Sequence, residues 1–242
     1  MAAVFGRQNI RRVYCAGPLF NRAEREEMER IAAVLTRGGF EPFVPHADGM
    51  EFAELHPYLV AQGCEPLEVG QLLHAAIFAL DVYQVVIGCG CLVFNMNGRV
   101  PDEGAVAEAT MAWMLNKPVV IYKDDARTAI SCRDNPLVVG PAGFKTVSEL
   151  EALAAALEKK ITEQQARPLW QLPCPPHLEP TLAAGARLWE ELEKAASGRD
   201  LEEVSRVVCD LFAPPAIGGN SAQSASLCTR GAAAEDRLRA TA

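Results

Sequence analysis

Two rhythms of apolar residues alternate along the chain. Short, nearly continuous apolar runs at residues 12–16, 40–44, 91–96 and 118–122 read as buried strands. Between them lie longer segments whose apolar residues recur at helical spacing: 22–36, with Met28, Ile31 and Leu35 on one face, then 67–86 and 103–115. Asn21 is placed to cap the first of these and Gly38-Gly39 to end it. Residues 145–147 read as a last short strand. Ser148 then reads as the cap of a helix running to about residue 164, with Glu151 as its box partner. Residues 45–66, which hold His46, Asp48, Gly49 and His56-Pro57, follow neither rhythm and read as a long irregular loop.

Strands alternating with helices over residues 10–165 predict a three-layer, doubly wound α/β domain. Its mostly parallel five-stranded sheet is Rossmann- or flavodoxin-like. Past that point the composition changes. Residues 167–180 are rich in proline, 182–196 and 201–212 read as two further helices, and 214–242 are Ala, Ser and Gly with little apolar bulk. The expected organisation is an α/β domain at 1–165, a helical extension at 166–213 and a disordered tail at 214–242.

Composition narrows the class of partner. The net charge of −8 supplies no basic field for a phosphate backbone, so no nucleic-acid polymer is expected and a small ligand is left open. The longest apolar runs are broken short of the roughly 18 residues a membrane span needs, and no membrane contact is expected. Residues 1–12 carry basic side chains without an apolar stretch behind them, which points to a cytoplasmic protein. Among eight cysteines the one close pair, Cys89-Gly90-Cys91, has no second pair or histidine to complete a zinc site. Reduced, packed thiols and no metal are expected.

Ligands of open parallel sheets gather at the carboxyl ends of the strands. The loop Ala16-Gly17-Pro18-Leu19-Phe20 lies there, without the glycine spacing of a dinucleotide site, and a tight strand-to-helix turn explains Gly17 equally well. Asp102 opens the helix after the third strand and suits the helix dipole, so a site role and an electrostatic one weigh evenly. Glu108, six residues on among Val106, Ala109, Ala112 and Trp113, is costly on an apolar helix unless paired or working. Asp81 interrupts the apolar run 75–80 and is as readily structural as functional. Tyr14 can donate to a carboxylate, although most strand tyrosines only pack. His46 and His56 read as surface or packing residues, and Trp113 as core. Three acids near one sheet edge suit sugar transfer, with one attacking an anomeric carbon while another protonates the leaving base.

Several runs taken together carry a resemblance. Val13-Tyr14-Cys15-Ala16-Gly17-Pro18-Leu19-Phe20, then Asn97-Gly98-Arg99-Val100-Pro101-Asp102-Glu103-Gly104, then Glu108 and Asn116-Lys117-Pro118, resemble the nucleoside 2-deoxyribosyltransferases over residues 11–155. The resemblance implies Glu108 as the nucleophile that forms a glycosyl ester, Asp102 as the acid for the departing base, and Tyr14 as the residue that orients Glu108. It implies Asp81 as the other aspartate of the site, and Asn135 as a residue reaching a neighbouring subunit's deoxyribose. With Gly17, Phe20 and Asp48, these two complete the expected substrate-binding set. The implied protein is a homo-oligomer that needs no cofactor and acts on deoxynucleosides and free nucleobases.

The chain departs from the family's pattern at Ala109-Thr110, where glycine is frequent, at Gly90, where an aspartate often stands, and in its long C-terminal extension. Two other readings stay open at this point. One is the related hydrolases of nucleoside 5′-monophosphates, for which the Gly17 loop offers no serine. The other is a nucleotide-binding sensor without turnover, against which the joint presence of Asp102 and Glu108 argues.

Overall fold

A computed structural model describes residues 9–98, 100–125, 134–165, 174–194 and 201–213. The expected tail at 214–242 and the start of the expected extension lie outside them. Five strands form one sheet: β1 (Arg12–Ala16), β2 (Glu41–Phe43), β3 (Cys91–Asn95), β4 (Val119–Tyr122) and β5 (Thr146–Val147). They stand in the order β2-β1-β3-β4-β5, and every pairing is parallel. Val13 pairs with Pro42 on one side of β1 and with Cys91 on the other. This is the doubly wound order expected, and it reverses between β1 and β3, where such folds open a crevice.

Alternation along the strands distributes the layers. Val13, Cys15, Cys91, Val93, Val120 and Tyr122 join one core with Met28, Ile31 and Leu35 of α1 (Arg22–Arg37) and Leu153, Leu157 and Ile161 of α7 (Leu153–Gln165). The helix α5 (Glu103–Met114) packs on β3, with Tyr14 of β1 meeting it from the sheet. Asn21 caps α1 as expected, in a full capping box with Glu24. Ser148 does not act as a cap. The turn there is a 3-10 segment, Leu150–Ala152, and Glu151 instead pairs with Arg37 at 2.9 Å.

The expected loop at 45–66 is largely helical: α2 (Pro45–Asp48) and α3 (Phe52–Ala61) occupy it. Pro57 inside α3 removes one backbone donor and reads locally as a breaker. Packing overrides it, because Leu55 and Leu59 are buried and Phe52 lies against the same cluster. The Glu51 carboxylate, accepting from the Ala53 N–H, caps the start.

The fold divides into two compact units, and not along the contiguous boundaries expected from composition. One comprises residues up to Asp48 with Val82–Leu178, and the other Gly49–Asp81 with residues from Glu179 onward. The second unit is helical. Its core joins Leu55, Leu59, Leu73 and Leu80 to Leu188 and Leu192 of α8 (Glu179–Lys194) and Val204, Val207 and Val208 of α9 (Leu201–Phe212). The C-terminal helices therefore complete a core begun by residues 49–81.

The helix α4 (Pro66–Tyr83) runs on into a π-helical turn, Gln84–Gly88. Contrary to the sequence expectation, this stretch is long and apolar enough by length and composition to cross a membrane. Its residues Val69, Leu73, Ala76 and Leu80 are buried in the helical core, as in the core helix of a globular protein.

Candidate active site

Apart from Tyr14, which lies within β1, the expected site residues of the first unit follow the carboxyl ends of strands. Gly17 and Phe20 come after β1, Asp48 after β2 and Asp102 after β3, while Asn135 precedes the short helix α6 (Pro136–Val139) that follows β4. Tyr14 and Glu108 are brought into direct contact, the Tyr14 hydroxyl donating to Glu108 Oε1 at 2.7 Å. Tyr14 is wholly buried and its ring lies against Phe43, with centroids 5.5 Å apart. Glu108 is half-buried rather than enclosed. Trp113, expected in the core, is 56% exposed because the sheet side of α5 is occupied by the small residues Ala105, Ala109 and Ala112.

Asp102 is the N-cap of α5, its Oδ2 accepting from the Ala105 N–H at 2.8 Å. The cap fixes the carboxyl group where loop meets helix, on the same helix as Glu108. Asn135 is likewise an N-cap, its Oδ1 accepting from the Leu137 N–H at 3.0 Å. The preceding Asp134 is tied by an ion pair to Lys123, at the exit of β4. Asp48 closes its own short helix by accepting from the Val44 N–H at 2.7 Å. Phe20 is 83% exposed and so is free of any core role. Asp81 lies in the last turn of α4, half-buried, in the second unit.

A polar network that sequence reasoning passed over stands at the same strand ends. Asn95, fully buried at the end of β3, donates to Glu27 Oε2 at 2.8 Å, and Asn97 donates to Glu27 Oε1 at 2.8 Å. Asn97 Oδ1 accepts the backbone N–H groups of Asp124 and Asp125 beyond β4. One signal was visible in the sequence: an asparagine closing the otherwise apolar run Cys91-Leu92-Val93-Phe94 needs partners. Beside it the Tyr122 hydroxyl donates to Asp124 at 3.0 Å. Burial, and then that hydrogen bond, push Tyr122 up to about 12.

With this geometry in view, the model of the family described as nucleoside 2-deoxyribosyltransferase matches residues 13–169, more than half of the chain. The chain belongs to the nucleoside 2-deoxyribosyltransferase family. Its function is accordingly of the deoxyribosyltransferase type, and the family's substrates are nucleosides and nucleobases. Among solved structures it is similar to one described as "Crystal structure of conserved protein from Enterococcus faecalis V583". The two are 18% identical with a TM-score of 0.44, over 62% of this chain and 98% of the other. No curated protein matches.

Two glycines that matter to the deoxyribosyltransferase resemblance have packing causes here. A Cβ on Gly17 would stand 2.7 Å from Met28 Sδ and 2.9 Å from Asn95 Cβ, so close approach of the first loop to α1 and β3 accounts for it. At Gly90 a Cβ would stand 2.5 Å from Asn9 O and Ile10 Cα. The backbone entering β1 thus fills the space a side chain would need. Lys117, in the family-like Asn116-Lys117-Pro118 run, is buried. Its ammonium donates to the carbonyls of Val85, Val86 and Cys89 around the π turn. Burial pulls it down to about 8. Burial likewise pushes the Cys89 thiol up to about 12 and raises Cys15 and Cys91, as expected of packed, inert thiols. Among the described residues no group of His, Cys, Asp and Glu is arranged to hold a metal ion.

Proposed function

We propose that the protein moves 2-deoxyribose from one nucleobase to another by double displacement on Glu108. The observation that carries this reading is the 2.7 Å bond from Tyr14 to Glu108, which ties a half-buried carboxylate of α5 to a buried tyrosine of β1. In the first step a Glu108 oxygen attacks C1′. The glycosidic C–N bond breaks, and the leaving base takes a proton from the Asp102 carboxyl group. In the second step a nitrogen of the incoming base attacks C1′ of the ester, Glu108 departs as carboxylate, and the proton of the incoming base returns to Asp102. Retention follows from the two inversions. Asp81, Gly17, Phe20 and Asp48 belong to the substrate-binding part of the proposal. Asn135 belongs to its oligomeric part, in which a homo-oligomer completes each site across an interface.

The test is to incubate the protein with a deoxynucleoside and a different free base and to separate the products. A new deoxynucleoside supports transfer, and its absence from the Glu108→Gln variant supports the nucleophile. Free deoxyribose with no new deoxynucleoside would replace transfer by hydrolysis. Binding without turnover would reduce the protein to a sensor.

A further inference from the structure

We propose that Glu27 is a positioning residue for the acid, holding the loop between β3 and α5 through a pair of hydrogen bonds that only a carboxylate can accept. The proposal rests on the reading of Asp102 as that acid. Both asparagines of the network have their orientation decided by backbone donors. Asn97 Oδ1 takes the N–H groups of Asp124 at 3.1 Å and Asp125 at 3.3 Å, and Asn95 Oδ1 takes the N–H of Asn97 at 3.1 Å. With both amide oxygens committed, both amide nitrogens turn to Glu27, one to each carboxylate oxygen, at 2.8 Å each. An acceptor-only group with two oxygens is what this demands.

A glutamine at this position would present its own NH₂ to one of the two asparagine NH₂ groups. Rotating either asparagine to cure the clash would set its NH₂ against a backbone N–H instead. Asn95 has no exposed surface, so water cannot replace the lost partner cheaply. One side chain on α1 thus ties the exit of β3 to the exit of β4. Asp102 stands five residues beyond Asn97, at the far end of the loop so held. Glycine at 17 allows this closeness, because the Asn95 Cβ and Met28 Sδ fill the space above it.

The experiment compares the full-length protein with Glu27→Gln on two deoxynucleosides, one with a natural base and one with an activated leaving group that departs without a proton. Amide hydrogen exchange at Asp124 and Asp125 is followed in parallel. If Glu27 acts through the acid, kcat falls roughly tenfold on the natural base with KM changed by less than about twofold. The activated substrate is then spared, Glu27→Gln adds little to Asp102→Asn, and exchange at the two amides speeds up at least about tenfold. An equal loss on both substrates, or an unchanged kcat, overturns the positioning role. Unchanged exchange at the two amides overturns the clamp itself. Should the Gln variant fail to fold, Glu27→Asp keeps both acceptors on a shorter stem and should give the same pattern at smaller amplitude. If the unaltered protein transfers no base, the reading of Asp102 fails and the link to the acid falls with it. Amide exchange then judges the clamp alone.

Discussion

The Tyr14 hydroxyl donates to Glu108 Oε1 at 2.7 Å, joining a wholly buried residue of the first strand to the helix on that face of the sheet. The donor is fixed, since its ring is held against Phe43. The acceptor is half-buried on α5, so the bond leaves it one defined orientation among those its long side chain allows. Tyr14→Phe keeps the ring and removes the donor. Exchange should slow by about 10- to 100-fold with the melting temperature nearly unchanged. Glu108→Gln should cost several orders of magnitude. Equal activity of Glu108→Gln and the unaltered protein in a single-turnover assay would remove the nucleophile from the mechanism.

Asp102 has two roles that substitution can separate. Asparagine caps a helix about as well as aspartate, so Asp102→Asn should retain the bond from the Ala105 N–H and the stability. It cannot supply a proton, and rates on natural bases should fall while activated leaving groups are spared. Asp102→Ala loses the cap as well, at about 1 kcal/mol, or about 2–4 °C in melting temperature. A melting temperature as low for Asn as for Ala would show that the carboxylate's charge, not its cap, holds the loop.

What the sequence disclosed followed from local rules. Apolar runs marked the strands, Asn21 marked the start of α1, and the acids at 102 and 108 stood out against an apolar helix. Three features were hidden because they depend on contacts distant in the chain. Pro57 disguised α3, whose stability comes from burying Leu55 and Leu59. Trp113 looked like core because its exposure depends on which side of α5 meets the sheet, and that side is chosen by alanines. Glu27 looked like one more charge on an amphipathic helix. Only the parallel pairing of β1 with β3 brings Asn95 and Asn97 to it.

Alkaline stability should follow the buried thiols. Lys117 sits near 8 in the fold against 10.5 ordinarily, so between those values the unfolded chain holds a proton the folded chain has released, and stability gains with pH. The thiols act in the opposite sense. Above about 9 they ionise when unfolded, while burial keeps Cys89 protonated to about 12 and raises Cys15 and Cys91 also. Three thiols outweigh one amine, so calorimetry should show melting temperatures that hold from pH 8 to 9 and fall above it. Cys89→Ala should make the fall shallower. A melting temperature rising steadily to pH 10.5 would mean that Lys117 dominates.

Asn135 can be tested for its proposed place in a neighbour's site. Its cap uses Oδ1 alone, so Asn135→Asp should preserve α6 while replacing the amide donor with a charged carboxylate oxygen. Two inactive variants, Glu108→Ala and Asn135→Asp, should recover activity when their subunits exchange, because a mixed interface can contain one intact site. Absence of recovery after demonstrated exchange would place Asn135 outside the site.

Truncation after Gln165 tests the helical unit. It deletes α8 and α9, of 16 and 12 residues, and with them Leu188, Leu192, Val204, Val207 and Val208. Leu55, Leu59, Leu73 and Leu80 would then lose the residues that cover them, at about 1.5–3 kcal/mol for each leucine fully exposed. Short helices in water depend on such packing more than on intrinsic propensity, and α3 carries a proline besides. Loss of helical circular dichroism should therefore exceed that of the two deleted helices, with a lower melting temperature, as residues 49–81 unravel. The opposite outcome, a signal reduced by those two helices alone with melting unchanged, would mean that residues 49–81 hold their fold without them.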